Sequence, residues 1–70
     1  MDLKGHMDAL ELSDRKLAEA SGLSMATVRM AKAGRTLGKQ AVDRLLDALS
    51  KKYGRKIERE EVEGLLLDEA

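Results

Sequence analysis

The stretch Leu17 to Arg35, LAEASGLSMATVRMAKAGR, decides the fold of this chain. It holds two short amphipathic segments separated by Gly22. The first runs from Asp14 to Ser21 behind Ser13, whose hydroxyl can accept from a free amide of the first helical turn. Leu17, Ala18 and Ala20 form its inward side. Gly22 ends it, because a residue just past a helix commonly takes the left-handed backbone that glycine adopts without strain. Leu23 plugs inward from the turn, and Ser24 is a second N-cap. The next helix spans Met25 to Ala33, with Val28 and Ala31 inward, and Gly34 stops it in the same way. The small Ala18 lets the two helices cross closely, while Leu23 and Val28 bury against the first and fix the crossing.

Outward from this centre, the apolar spacing predicts three more helices. Leu3, Met7 and Leu10 fall at i, i+4 and i+7 and predict a helix over Asp2 to Glu11, weakened by Gly5 and His6. The string Gly5-His6-Met7 also resembles a cloning scar ahead of a start at Met7, although losing residues 1–6 would delete half of that helix. Arg35 to Gly38 reads as a loop. Val42, Leu45, Leu46 and Leu49 predict a helix over Lys39 to Lys52, followed by a turn at Tyr53-Gly54. A short acidic helix is expected over Glu58 to Leu67, with Val62, Leu65 and Leu66 apolar, Ile57 packing before it, and Gly64 a local cost in its middle. The expected fold is therefore all-α, a five-helix bundle forming one domain over residues 1–70, with the helix-turn-helix at about 14–34.

Composition fits that class. Seventy residues make one domain at most, and a domain this short keeps a thin stability margin that dimerisation would widen. With no Pro and Tyr53 as the one aromatic residue, the core must come from Leu, Val, Ile, Met and Ala. The absence of Cys removes disulfides and thiolate metal sites. No apolar run approaches the roughly 18 residues of a membrane span, and no signal peptide is visible, so a soluble cytoplasmic protein is expected.

The formal net charge is zero, but its distribution is uneven. Residues 1–14 carry one base and four acids, residues 15–56 eleven bases and three acids, and residues 57–70 one base and six acids. The middle of the chain is thus basic by eight charges, and local field rather than net charge decides where a polyanion docks. The outer face of the second helix of the pair is free to enter a groove the size of the DNA major groove, about 12 Å wide.

The quoted stretch resembles the helix-turn-helix of the Cro/phage-repressor (xenobiotic-response-element) family, through Leu17-Ala18, Gly22, Val28 and Gly34. The likeness covers most of the chain, since that family's lambda-repressor-like domain has five helices in this order. It implies that base edges are read by Met25, Ala26, Arg29 and Met30. It also implies that phosphates are held near Asp14 at the start of the first helix of the pair, by Ser24 and Thr27, and by Arg35 and Thr36 in the following loop. Lys32 and Lys39 would extend that clamp. The resemblance further implies a homodimeric, nucleoid-associated transcriptional repressor reading a two-fold operator. The sequence departs from the family where Met25, Ala26 and Met30 replace the amide side chains common there. It departs again where Lys32 replaces a common acid and Met7 that acid's basic partner. Met and Ala can meet thymine methyls and Arg29 can make a bidentate contact to guanine, with DNA shape contributing the rest.

Each of these residues also has a plainer reading. Arg29 can be a solvated helix residue, and Met25 and Met30 can serve a protein partner, which makes a protein-interaction or architectural module the alternative function. Lys32 and Arg35 can complement a helix C-terminus. The run Lys51-Lys52-Tyr53-Gly54-Arg55-Lys56 reads as a solvated turn rather than a second phosphate contact, His6 as an exposed helix residue, and the carboxylates from Glu58 to Glu63 as a solvated face. Leu65-Leu66-Leu67 is wider than one stripe requires, so Val62, Leu65 and Leu66 are candidates for a homodimer contact. No nucleophile–base pair, metal-ligand cluster or phosphate-cradling Gly loop is present, so neither catalysis nor a cofactor is expected.

Overall fold

A computed structural model describes residues 1–68. In chain order the elements are α1 (Leu3–Ala9), α2 (Asp14–Ser21), α3 (Met25–Lys32), β1 (Thr36–Leu37), α4 (Lys39–Tyr53), a 3-10 turn (Arg59–Glu61) and β2 (Leu66–Leu67). Side-chain caps set three of the four helix starts. Asp2 accepts from the Gly5 amide at 2.8 Å, and Ser13 and Ser24 accept from the Lys16 and Thr27 amides at 3.1 Å each. Each cap satisfies one of the amides that a helix N-terminus leaves without an intrahelical partner.

Gly22 lies in the left-handed region at φ 74°, and the amides of Gly22 and Leu23 both return to the Ala18 carbonyl at 2.9 and 3.1 Å. This closes α2 within one residue and sends the chain straight into the Ser24 cap. At the end of α3 the Gly34 amide donates to the Ala31 carbonyl and the Arg35 amide to the Met30 carbonyl, both at 3.1 Å. The core runs along α4: Val42, Leu45 and Leu49 pack with Leu17 of α2, Val28 of α3 and Ile57, and these six side chains are essentially fully buried. Arg44 donates to the Gly22 carbonyl at 3.4 Å and ties α4 to the turn between α2 and α3.

The expected five-helix, lambda-repressor-like bundle is corrected, among the described residues, to four α-helices plus a small two-stranded parallel sheet. The difference lies in residues 58–67. Here Glu58 and Glu61 cap each other across one 3-10 turn, Val62 is extended (φ −116°, ψ 97°) and Gly64 is left-handed at φ 76°. The chain then forms β2, which pairs with β1 in the register Thr36↔Leu66 and Leu37↔Leu67, and the Asp68 amide adds a bond to the Leu37 carbonyl at 2.8 Å. A helix here would bring like charges together at i,i+3, Glu58 with Glu61 and Glu60 with Glu63, and place Gly64 in its interior. The extended path instead buries Val62 and Leu65 and turns Leu66 outward.

Smaller corrections follow the same logic. Residues 35–38 form not only a loop but also β1, which supplies the partner of β2. The first helix ends at Ala9 rather than Glu11, because Glu11 takes φ 56° and the Leu12 amide folds back to the Met7 carbonyl at 2.8 Å. A non-Gly residue in that region is uncommon and strained. In α2 the residue buried beside Leu17 and Ala18 is Ser21 rather than Ala20, its hydroxyl donating to the Leu17 carbonyl at 2.7 Å.

His6, expected on the surface, is 5% exposed. Its Nε2 lies 2.7 Å from the Glu61 carbonyl and its Nδ1 2.7 Å from the Tyr53 hydroxyl. A carbonyl only accepts, so Nε2 carries a proton, and in the neutral ring Nδ1 accepts from Tyr53. The two rings meet edge to face at 5.6 Å between centroids, and the Arg55 guanidinium lies over the other ring at 5.6 Å while pairing with Glu61. One imidazole thus joins α1, the end of α4 and the 3-10 turn.

The N-terminus also meets the segment after the 3-10 turn. The Glu63 amide donates to the Met1 carbonyl at 3.0 Å, and Asp2 and Glu63 form an isolated parallel bridge. Residues 1–6 therefore belong to the packed structure, with Leu3 as well as His6 in the interior.

Candidate nucleic-acid interface

The surface that collects the sequence-derived candidates is the outer side of α3 and the segment leaving it. Val28 and Ala31 face the core, so helical periodicity turns Met25, Ala26, Arg29 and Met30 outward together. Met25 is 36% and Met30 42% exposed, two of the four large apolar side chains most open to solvent among the described residues. An eight-residue helix is about 12 Å long, close to the width of the DNA major groove.

The polar candidates divide into three groups. Ser24 and Thr27 are occupied with each other: the Ser24 hydroxyl takes the Thr27 amide and lies 2.9 Å from the Thr27 hydroxyl. Ser24 caps α3, Thr27 lies in its first turn, and each hydroxyl keeps further lone pairs. Arg29, Lys32 and Lys39 are engaged with acids. Asp14 Oδ1 accepts from Lys32 Nζ at 2.7 Å and Asp14 Oδ2 from Arg29 Nε at 3.3 Å, while Lys39 pairs with Asp43 one turn along α4 at 2.7 Å. Arg35 and Thr36 are exposed directly after α3, and Arg35 makes no ion pair among the described residues. The backbone of Thr36 belongs to β1, so this end of the surface is braced by the sheet.

The Lys32 ammonium beside Asp14 holds that carboxyl below the usual carboxylate range. Partial desolvation opposes the shift, and Arg29 adds to the lowering. The Arg29 side chain is 61% exposed, whereas those of Lys32 and Asp14 are 30% and 23% exposed, so the Arg29 pair is the more open of the two. Exposed ion pairs are each worth about 0–1 kcal/mol, so a phosphate can compete for these cations.

Asp14 stands at the start of α2, near which the resemblance implied a phosphate contact, and its carboxylate pairs with the cations of α3. No periodic signal joins residue 14 to residue 32; the crossing of the two helices does. Arg44 was also missed, since its bond to the Gly22 carbonyl spans 22 residues. Lys16, one residue after Arg15 on α2, is a further exposed base without an ion pair among the described residues. The run Lys51 to Lys56 is only in part the expected solvated turn: Lys51, Lys52 and Tyr53 form the last turn of α4, Tyr53 is half-buried against His6, and Lys51, Arg55 and Lys56 pair with Asp47, Glu61 and Glu58.

The candidate dimer face is not reachable as a whole. Val62 and Leu65 lie inside the core, and only Leu66, 46% exposed, faces solvent. No helix is long and apolar enough to cross a membrane among the described residues. Set against protein families, curated proteins and solved structures, the chain finds no match in any of the three.

Proposed function

We propose that this chain binds double-stranded DNA with sequence preference, as a transcriptional regulator of the repressor type at the nucleoid in the cytoplasm. α3 lies in the major groove, with Arg29 as the principal base reader and Met25, Ala26 and Met30 against thymine methyls. Arg35, Thr36 and the amide end of α3 at Ser24 and Thr27 hold phosphates. The observation that carries this reading is the single exposed face shared by Met25, Ala26, Arg29 and Met30, on a helix braced from behind by α2 and followed at once by Arg35, which makes no ion pair among the described residues. Binding as a homodimer on a two-fold site is part of the proposal, with Leu66 the remaining exposed member of the apolar group considered for that contact.

Selection from a random duplex library, at low and near-physiological salt, tests it. Enrichment of an inverted repeat supports a dimeric regulator and names its operator. Recovery without enrichment, lost as salt rises, replaces it with a non-specific architectural role. Recovery at neither salt overturns DNA binding.

One observation favours a second reading, a protein-docking module. The exposed face holds three apolar residues, and its arginine is already in contact with an acid. A partner bound through Met25, Ala26 and Met30 with little salt dependence would support it.

A further inference from the structure

The Asp14 carboxylate is divided between two cations of α3, and its bond to Arg29 uses only the Nε–H of the guanidinium. The two terminal nitrogens of Arg29 have no hydrogen-bond partner among the described residues, and the side chain is largely exposed. A guanidinium is planar and rigid, so fixing its Nε edge fixes where the terminal fork points. That fork is the edge that donates to O6 and N7 of guanine in the major groove.

We propose that Asp14 is a positioning residue for base readout: it holds Arg29 at Nε and presents the terminal fork to a guanine. The inference rests on the DNA-binding reading above and deepens it by naming the base and the residue that orients its reader. Lys32, on the other carboxylate oxygen, fixes the carboxylate in turn. A free arginine side chain loses rotamer freedom on reaching a base, whereas one already held loses less, so the gain is confined to sequences that offer guanine. The same carboxylate repels every phosphate nearby, whatever the sequence. Asp14 therefore lowers affinity for DNA in general while raising discrimination, the arrangement expected where specificity is a difference between affinities.

The two effects have opposite signs, and this makes the idea testable. Binding of the wild type, Asp14→Ala, Asp14→Asn, Arg29→Ala and the Asp14→Ala/Arg29→Ala double variant is compared on three duplexes. These are the selected site, the same site with its Arg29-dependent guanine replaced by adenine, and a random sequence. Thermal melts by circular dichroism verify that each variant is folded. Asp14→Ala is expected to bind the random duplex about twofold more tightly. Its preference for guanine over adenine should fall about threefold or more, a fraction of what a bidentate contact supplies. Asp14→Asn loses the same charge but keeps an oxygen that can accept from Nε, so it should retain part of the preference. In the Arg29→Ala background the preference is already gone, and removing Asp14 should change it no further. Unchanged preference in Asp14→Ala, or an equal loss in the Arg29→Ala background, overturns the inference while leaving DNA binding intact. A selected site with no Arg29-dependent guanine overturns it as well. A wild type that binds no duplex at low salt overturns both readings.

Discussion

The α2–α3 pair and the closure made by the N-terminal segment and residues 57–68 are built on opposite principles. Between Ser13 and Arg35, nearly every stabilising feature is local: two serine caps, one tight glycine turn, and apolar residues at helical spacing. In the closure, the partners are far apart in sequence. His6 meets Tyr53 and Glu61, Asp2 meets Glu63, and Thr36 and Leu37 pair with Leu66 and Leu67. Local features form at little cost in loop closure, whereas distant pairings hold only once the whole core is assembled. The difference separates a region whose shape is set by its own residues from one whose shape is set by what it covers.

The strongest way to break this comparison is to delete residues 1–6. If the closure were an accessory, the remainder would fold unaided. The expected outcome is loss of the cooperative thermal transition, because Leu3 contributes about 2–5 kcal/mol on the scale of buried leucine truncations. Removing His6 strands polar partners at a further cost of about 1–3 kcal/mol. In a domain of this size that sum is comparable with the whole stability. A deletion variant that melts like the intact chain would refute the integral role given to the N-terminal segment.

His6→Ala isolates the junction itself. It should lower stability by about 1–3 kcal/mol in denaturant melts, with Tyr53→Phe costing about 1 kcal/mol because only the hydroxyl bond is lost. Near-zero effects for both would mean that the imidazole bridge is geometrically present and energetically idle.

On the local side, Ser24→Ala removes the cap of α3 and should cost about 1 kcal/mol. Amide exchange sharpens the contrast further. Amides of α2 and α4 should be among the slowest to exchange, whereas Leu67 and Asp68 should open at lower free energy, since two short strands hold them. Equal protection in both regions would show that the closure opens only with the core.

The smallest effect concerns acid. Asp14 is held low chiefly by Lys32, and Glu61 chiefly by the Glu58 backbone amide and then by Arg55. A carboxyl whose folded pKa is depressed stabilises the fold above the ordinary carboxylate range and stops doing so as the pH falls through it. The melting temperature should therefore drop as pH falls below about 4, and Asp14→Asn and Glu61→Gln should each flatten that drop slightly. An acid limb unchanged in both variants would remove these carboxyls from the account. Both pairs remain open to solvent in part, so the effect belongs at the bottom of the scale.

The candidate site was more legible than the charges around it. Residues 25–32 declared a helix with one exposed face because Val28 and Ala31 are spaced for burial, and the structure brings Met25, Ala26, Arg29 and Met30 together there. The partner of Arg29 and Lys32 was not legible, since Asp14 reaches them across a turn and a helix crossing. In the closure the reading failed outright at one element. The apolar residues Val62, Leu65 and Leu66 have a spacing that fits a helix, and the extended alternative depends on β1, itself hidden in a segment that looks like a loop.

What this sequence determined alone is the set of elements that carry their own start, stop and face: α2 with its glycine turn, α3, and the long α4. Caps, left-handed glycines and helical spacing act within one or two turns, so adjacent residues specify them. What only the tertiary structure decided is the path of residues 57–68, the burial of His6 and the ionic partner of Arg29. Each depends on groups brought together from opposite ends of the chain or across a helix crossing, where packing and hydrogen-bond satisfaction outweigh local preference.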